Sequence, residues 1–136
     1  MLLLALLSPS AILAAEPRLT ETDAKAIRFV VQAQIDAIAV DDGPKAFSYA
    51  SEGIRAQFGI PEVFMAMVRE GYPVVYRPAS VRFLPAYRER DEFKQPVRMT
   101  DGNGLVWVAL YRLEKHRNGS WRIAGCSLAR TAGTST

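Results

Sequence analysis

The stretch from Leu105 to Leu128, LVWVALYRLEKHRNGSWRIAGCSL, decides the fold. Each half of it alternates apolar and polar residues with a period of two, which is typical of half-buried β-strands. The Asn118-Gly119 pair between the halves is a hairpin signal, because tight turns between antiparallel strands favour residues that adopt positive φ. The sequence therefore predicts two neighbouring antiparallel strands, at 105–114 and 121–128.

Two further strands are predicted before this hairpin. Val81, Phe83 and Tyr87 alternate with arginines, as on a half-buried strand, and a second strand contains Val97 and Met99. The second of these ends at Asp101-Gly102-Asn103-Gly104, another strong turn signal. Together the four strands predict an antiparallel meander.

Helical patterns come before all of these strands. In residues 20–42 apolar residues recur at a spacing of three to four, which forms one stripe along a helix: Ile27, Val31, Ile35 and Ile38. Shorter helices are predicted at 45–50, 52–58 and 62–70, followed by a short extended piece around 74–76. Helices followed by strands indicate an α+β fold, with the helices on one face of a curved antiparallel sheet of about four strands. A single domain over 16–130 is expected.

The two ends of the chain are predicted to lie outside this domain. Residues 1–15, MLLLALLSPSAILAA, form an apolar run too short to span a bilayer, which would take about 20 residues. Its small-residue end favours a secretory signal peptide, and hence a periplasmic or secreted bacterial protein with no stable membrane span; a retained anchor and a buried helix are the alternatives. The small, polar residues 131–136 predict a disordered tail.

Composition excludes several classes of function. The 136 residues carry a net charge of +3, without the clustered basic residues of a nucleic-acid-binding surface. One His and one Cys make a transition-metal site improbable. No glycine-rich phosphate loop or dinucleotide fingerprint occurs, so no metal and no cofactor is predicted.

Several short motifs resemble a bacterial family known as domain of unknown function 4864. The most distinctive are Tyr76-Arg77-Pro78 and the run from Ser120 to Cys126, SWRIAGC, and the resemblance extends over about residues 24–128. It implies the cone-shaped, cystatin-like fold of nuclear transport factor 2-like proteins, a fold used by isomerases, cyclases, dehydratases and non-catalytic binders. The resemblance implies no particular activity.

The sheet contributes the first candidate pocket residues. Trp107, Tyr111, Trp121 and Ile123 have strand parities compatible with one face, where they would line a pocket or form plain core. Gln34 falls within the apolar stripe of the first helix, so its amide is expected to point inward. That amide could be a polar group on the pocket wall or a structural hydrogen-bond donor.

The connection between helices and sheet contributes the other candidates, Tyr72, Tyr76 and Arg77. The Arg77 guanidinium could clamp a carboxylate or phosphate of a ligand through its fork of donors. It could equally tie the connection to a nearby acidic side chain, for which the choices are Asp41, Asp42 and Glu52.

Cys126 is expected on the strand parity of Arg122 and Ala124, as a small buried thiol, with an intermolecular disulfide as an alternative. His116 lies ten residues away, roughly 33 Å along an extended strand, so local Cys–His catalysis is not expected. No catalytic residue is predicted.

Two classes of function remain open at this point. The first is an exported, non-catalytic module that binds a small apolar or amphipathic ligand, or a protein partner, in the cone. The second is an isomerase-like or dehydratase-like enzyme with a tyrosine acid and a carboxylate base. Phe29 and Val40, on the back of the first helix, leave a homodimer possible.

Overall fold

The computed structural model describes residues 19–131, which form five helices followed by five strands. The predicted α+β class is confirmed. The helices are α1 Glu21–Ala39, α2 Gly43–Ser48, α3 Glu52–Phe58, α4 Pro61–Gly71 and α5 Pro73–Tyr76; the strands are β1 Ser80–Phe83, β2 Tyr87–Glu89, β3 Glu92–Thr100, β4 Val106–Lys115 and β5 Trp121–Arg130.

The ends predicted to be a signal peptide and a tail fall almost wholly outside the described residues. Of the tail only Thr131 is described, and both its backbone N–H and its hydroxyl donate to the Val106 carbonyl, at 3.1 and 3.2 Å. Across residues 19–131, no helix is both long enough and apolar enough to cross a bilayer.

The first helix begins and buries its stripe as its sequence predicts. The Thr20 hydroxyl accepts a hydrogen bond from the Asp23 N–H at 3.0 Å, which satisfies one of the unpaired donors of the first turn. Ile27, Val31 and Ile38 are almost fully buried and form the centre of the core. Phe29 and Val40 point away from it and are exposed, so a homodimer through them stays a prediction.

Side-chain caps fix the short helices that follow. The Asp42 carboxylate accepts the Lys45 N–H at 3.2 Å at the start of α2, and the Ser51 hydroxyl accepts the Ile54 N–H at 3.3 Å at the start of α3. Between these helices the backbone pairs with the last strand, because the Ser51 N–H donates to the Ile123 carbonyl at 2.8 Å. The helical layer is thus bonded directly to the sheet.

The segment predicted to be extended around 74–76 is instead the helical turn α5, so that prediction was wrong. Pro73 occupies the first turn, where its fixed φ suits a helix and its missing N–H costs nothing. The turn buries Val74 and Val75 together against the core, which an alternating strand would not do.

The sheet has five antiparallel strands rather than about four, in the order β1-β3-β4-β5, with β2 also pairing with β3. The predicted strand containing Val81, Phe83 and Tyr87 is interrupted near Pro85, which has no N–H to donate. Its two halves pair with opposite ends of β3. The buried Gln95 amide donates to the Leu84 carbonyl at 2.7 Å and so joins the segment between β1 and β2 to β3.

The last strand contains a β-bulge, which sequence alternation does not predict. Tyr111 pairs with Cys126, and Leu113 pairs with Ile123, so Ala124 is the extra residue of β5. Residues on either side of the bulge therefore follow opposite parities. The expectation that Cys126 shares a face with Arg122 was wrong, because Cys126 lies on the core-facing side with Tyr111.

Candidate functional site

A cavity of about 430 Å³ lies between the helices and the core-facing side of β4 and β5. Its volume is within the range of small-molecule sites. The walls are largely apolar, with contributions from α1, α3, α4 and the sheet: Ile38, Ile54, Phe58, Phe64, Val68 and Ile123. Five of the lining residues have side chains with polar groups: Gln34, Gln57, Tyr72, Tyr111 and Cys126.

Gln34 satisfies both interpretations that its sequence position left open. It is 4% exposed, and its Nε2 donates to the Ala46 carbonyl at 3.1 Å, so the amide joins α1 to α2. The same side chain lines the cavity. The structural hydrogen bond therefore fixes the orientation of an amide on the cavity wall.

Tyr111 lines the sheet side of the cavity and has a buried hydroxyl. The residue is 1% exposed, and its hydroxyl makes no hydrogen bond within the described chain. The Cys126 thiol is near enough to affect the pKa of Tyr111, but their contact lacks the geometry of a hydrogen bond. A buried hydroxyl without a partner is unusual in folded proteins.

Burial keeps both of these acidic groups neutral. It raises the pKa of the Tyr111 hydroxyl well above its usual range, and the neighbouring Cys126 adds to the effect. Burial also raises the pKa of the Cys126 thiol to about 12, partly offset by Tyr111. At neutral pH the cavity therefore presents a phenol and a thiol rather than anions.

No Asp, Glu, Lys, Arg or His is among the described residues that line this cavity. Its polar surface consists of neutral amides, phenols and a thiol. His116 lies near the β4–β5 turn, where its Nε2 is 3.8 Å from Glu114. Within residues 19–131, no group of three or more His, Cys, Asp or Glu is placed to hold a metal ion.

Tyr76 and Arg77, two of the candidate residues, lie outside the cavity in a surface cluster around Asp41. The Tyr76 hydroxyl donates to Asp41 Oδ1 at 2.6 Å, and the Arg77 guanidinium donates to Oδ2 at 3.1 Å. Arg69 contacts the same carboxylate at 3.4 Å. The Tyr76 hydrogen bond, then Arg77 and Arg69, lower the pKa of Asp41. Arg77 thus has the acidic partner that the sequence offered as the alternative to a ligand.

The two tryptophans share the core-facing side of the sheet, as predicted, but they lie apart. Trp107 lines a second cavity of about 520 Å³ beside α5, together with Arg77, and its indole donates to Asp101 at 3.0 Å. Trp121, the first residue of β5, is buried beside the other end of β4. Its ring packs edge-on against Phe93, with 4.9 Å between the ring centroids. Of the eight candidates, the first cavity therefore unites Gln34, Tyr72, Tyr111 and Ile123.

Sequence reasoning missed the helical wall of the cavity. Ile54, Gln57 and Phe58 come from α3, and Phe64 and Met67 come from α4. The spacing of 54, 57 and 58 is that of one helix face, which is the signal that could have identified them. Cys126 was missed because the bulge reverses its parity.

The arrangement defines a class of protein, an α+β domain whose helices and antiparallel sheet flank a largely apolar cavity. The family described as Domain of unknown function (DUF4864) matches residues 20–136, and the chain belongs to this family. This match confirms the family predicted from the short motifs. No curated protein and no solved structure matches the chain.

Proposed function

We propose that this domain is a non-catalytic binding module that takes a small apolar or amphipathic molecule into the cavity beside Tyr111. The observation that carries the proposal is the cavity of about 430 Å³, with apolar walls and a few fixed polar groups. Such a combination is typical of small-molecule sites. The proposal includes a cone of the nuclear transport factor 2-like kind and, from the apolar segment 1–15, action after export to the periplasm or beyond.

The alternative, an isomerase-like or dehydratase-like enzyme, has less support. Its chemistry needs a base within hydrogen-bond reach of the substrate. Tyr111 could act as the acid, but no described residue lining the cavity is a carboxylate or an imidazole. The Asp36 carboxylate does not supply this base, because it is exposed on α1 and accepts a hydrogen bond from Gln32 at 2.8 Å.

A retained or added ligand tests the proposal. Native mass spectrometry of the purified chain would detect a bound molecule as mass lost on denaturation. Titration with 1-N-phenylnaphthylamine, an uncharged apolar fluorophore, would show binding as an increase in emission. The proposal predicts saturable binding of this fluorophore by the folded chain.

Two substitutions on α4 give the test its control. Met67 lines the cavity, so Met67→Trp is expected to fill it and to abolish fluorophore binding. Val63 lies one turn earlier and is 47% exposed, so Val63→Trp is expected to leave binding unchanged. No binding by the folded wild-type chain, or equal binding by both variants, would contradict the proposal.

A further inference from the structure

Tyr111 lines the cavity, and its hydroxyl is a buried hydrogen-bond donor without a partner in the described chain. Tyr111 lies in the middle of β4 and is paired on both sides, with Gln95 on β3 and Cys126 on β5. The ring is thus held by the most extensively bonded part of the sheet. A donor fixed in this way supplies direction as well as hydrogen-bonding capacity.

The residues that line the cavity determine whether a charged ligand can bind there. A carboxylate or phosphate in the cavity would lose its hydration without gaining a cationic partner, because no described lining residue is Lys, Arg or His. A cation would likewise find no carboxylate there. The Cys126 thiol, which lines the cavity with Tyr111, stays neutral at physiological pH because burial raises its pKa to about 12.

We infer that the cavity selects uncharged amphipathic molecules that present a hydrogen-bond acceptor, such as an ester or ketone carbonyl, to the Tyr111 hydroxyl. The apolar part of such a molecule packs against the wall formed by Ile54, Phe58 and Phe64. The inference rests on the proposed function and narrows it to one class of ligand, in which a fatty acid anion is disfavoured relative to its ester.

The test compares two molecules with the same acyl chain, one ending in an uncharged ester and the other in a charged carboxylate. Methyl decanoate and decanoate each displace 1-N-phenylnaphthylamine from the wild-type chain at pH 7, and their inhibition constants are measured. We expect the ester to bind at least about tenfold more tightly than the anion, because the anion is buried without a counter-ion.

Tyr111→Phe then removes the hydroxyl and retains the ring. We expect it to weaken methyl decanoate about five- to tenfold, the effect of one lost hydrogen bond, once the inhibition constant is calculated with the variant's own fluorophore affinity. Tyr87→Phe removes an equivalent hydroxyl from exposed β2 and is the matched control. Tyr87→Phe should change neither the inhibition constant of methyl decanoate nor the affinity for the fluorophore.

The outcomes separate this inference from the proposal beneath it. If the fluorophore binds but decanoate competes as well as its ester, the charge selectivity is refuted and the binding module stands. The same holds if Tyr111→Phe leaves the ester constant unchanged. If the folded wild-type chain binds no fluorophore and no ester, both the inference and the proposed function fail.

Discussion

The Asp41 carboxylate accepts a hydrogen bond from the Tyr76 hydroxyl at 2.6 Å, across 35 residues of sequence. Asp41 follows α1, and Tyr76 ends α5, so the contact joins the two ends of the helical layer. Arg77 adds a second bond at 3.1 Å. Because Tyr72 and Val75 of the same connection line the cavity, this cluster positions one side of the candidate site.

Asp41→Asn is expected to lower thermal stability at pH 7. Asn tolerates the positive φ of 57° at this position, so the substitution removes the charge without straining the backbone. Tyr76, then Arg77 and Arg69, lower the pKa of Asp41 below its usual value of 3.8, so the carboxylate stabilises the fold above that pH. The stabilisation is lost as the pH falls through the lowered pKa.

Thermal unfolding at pH 7 and below pH 3 would measure this effect. The difference in Tm between wild type and Asp41→Asn should shrink at the lower pH. Asp36→Asn is the control, since the Asp36 carboxylate accepts a hydrogen bond from Gln32 within the same helix, α1. An equal loss of stability in both variants would argue against a special role for the Asp41 cluster.

Tyr111→Phe is expected to leave the free energy of unfolding unchanged or to raise it by up to about 1 kcal/mol. The hydroxyl has no partner in the described chain, so its removal costs no hydrogen bond and relieves an unsatisfied buried group. Urea denaturation would measure the change. Tyr111→Ala should instead lose about 3–5 kcal/mol, because it also removes the buried ring.

A loss of more than about 1 kcal/mol in Tyr111→Phe would show that the hydroxyl has a partner within the folded protein. That result would weaken its assignment as a ligand donor.

Cys126 is expected to resist alkylation in the folded chain. Burial raises its pKa to about 12, so far less thiolate is present at pH 8 than for a free cysteine with a pKa of about 8.5. The greater nucleophilicity of a more basic thiolate offsets part of this difference. Iodoacetamide should therefore react at least about 30-fold more slowly with the folded chain than with the chain in urea. Similar rates in both states would contradict the burial of this thiol.

The same raised pKa predicts a loss of stability at alkaline pH. Above about pH 8.5 the unfolded chain ionises its thiol while the folded chain keeps the proton, so the free energy of unfolding falls as the pH rises. Between pH 8.5 and 10 the expected loss is up to about 2 kcal/mol. Cys126→Ala should show a shallower fall over this interval in urea titrations, and an equal slope would refute the effect.

Gln34→Met is expected to destabilise the fold by about 1–2 kcal/mol. The substitution keeps the length of the side chain but removes the donor to the Ala46 carbonyl, a buried bond between α1 and α2. Gln32→Met is the matched control on the same helix, because the Gln32 amide bonds the exposed Asp36. Urea denaturation should separate the two variants, and equal effects would contradict a role for the inter-helix bond.

Local patterns predicted most of the architecture. The period of three to four residues around Ile27 and Val31 identified α1, and the turn at Asn118-Gly119 identified the β4–β5 hairpin, where Gly119 has a φ of +84°. These features depend on neighbours in sequence, so a single chain is enough to reveal them.

Features that depend on residues far apart in the sequence were harder to predict from the sequence alone. The helical turn at 73–76 forms because Val74 and Val75 are buried together, which depends on what packs against them. Likewise, the candidate residues Tyr76 and Arg77 were recognised as a cationic, aromatic segment, but nothing local to that segment shows that Asp41 holds both. The pairing arises from the chain reversal between α1 and α5.

The extra residue Ala124 reverses which positions of β5 face the core. Before it, Trp121 and Ile123 occupy odd positions toward the core; after it, Cys126 and Leu128 occupy even ones. Deleting this single alanine would leave a regular ladder in which Ile123 and Cys126 both still face the core, because Ala124 is the residue that the bulge accommodates. If β5 instead kept Ala124 and alternated without a bulge, the Cys126 thiol would leave the cavity for the opposite surface. The chemical character of the site therefore depends on how the strand accommodates one residue that contributes no functional group to it.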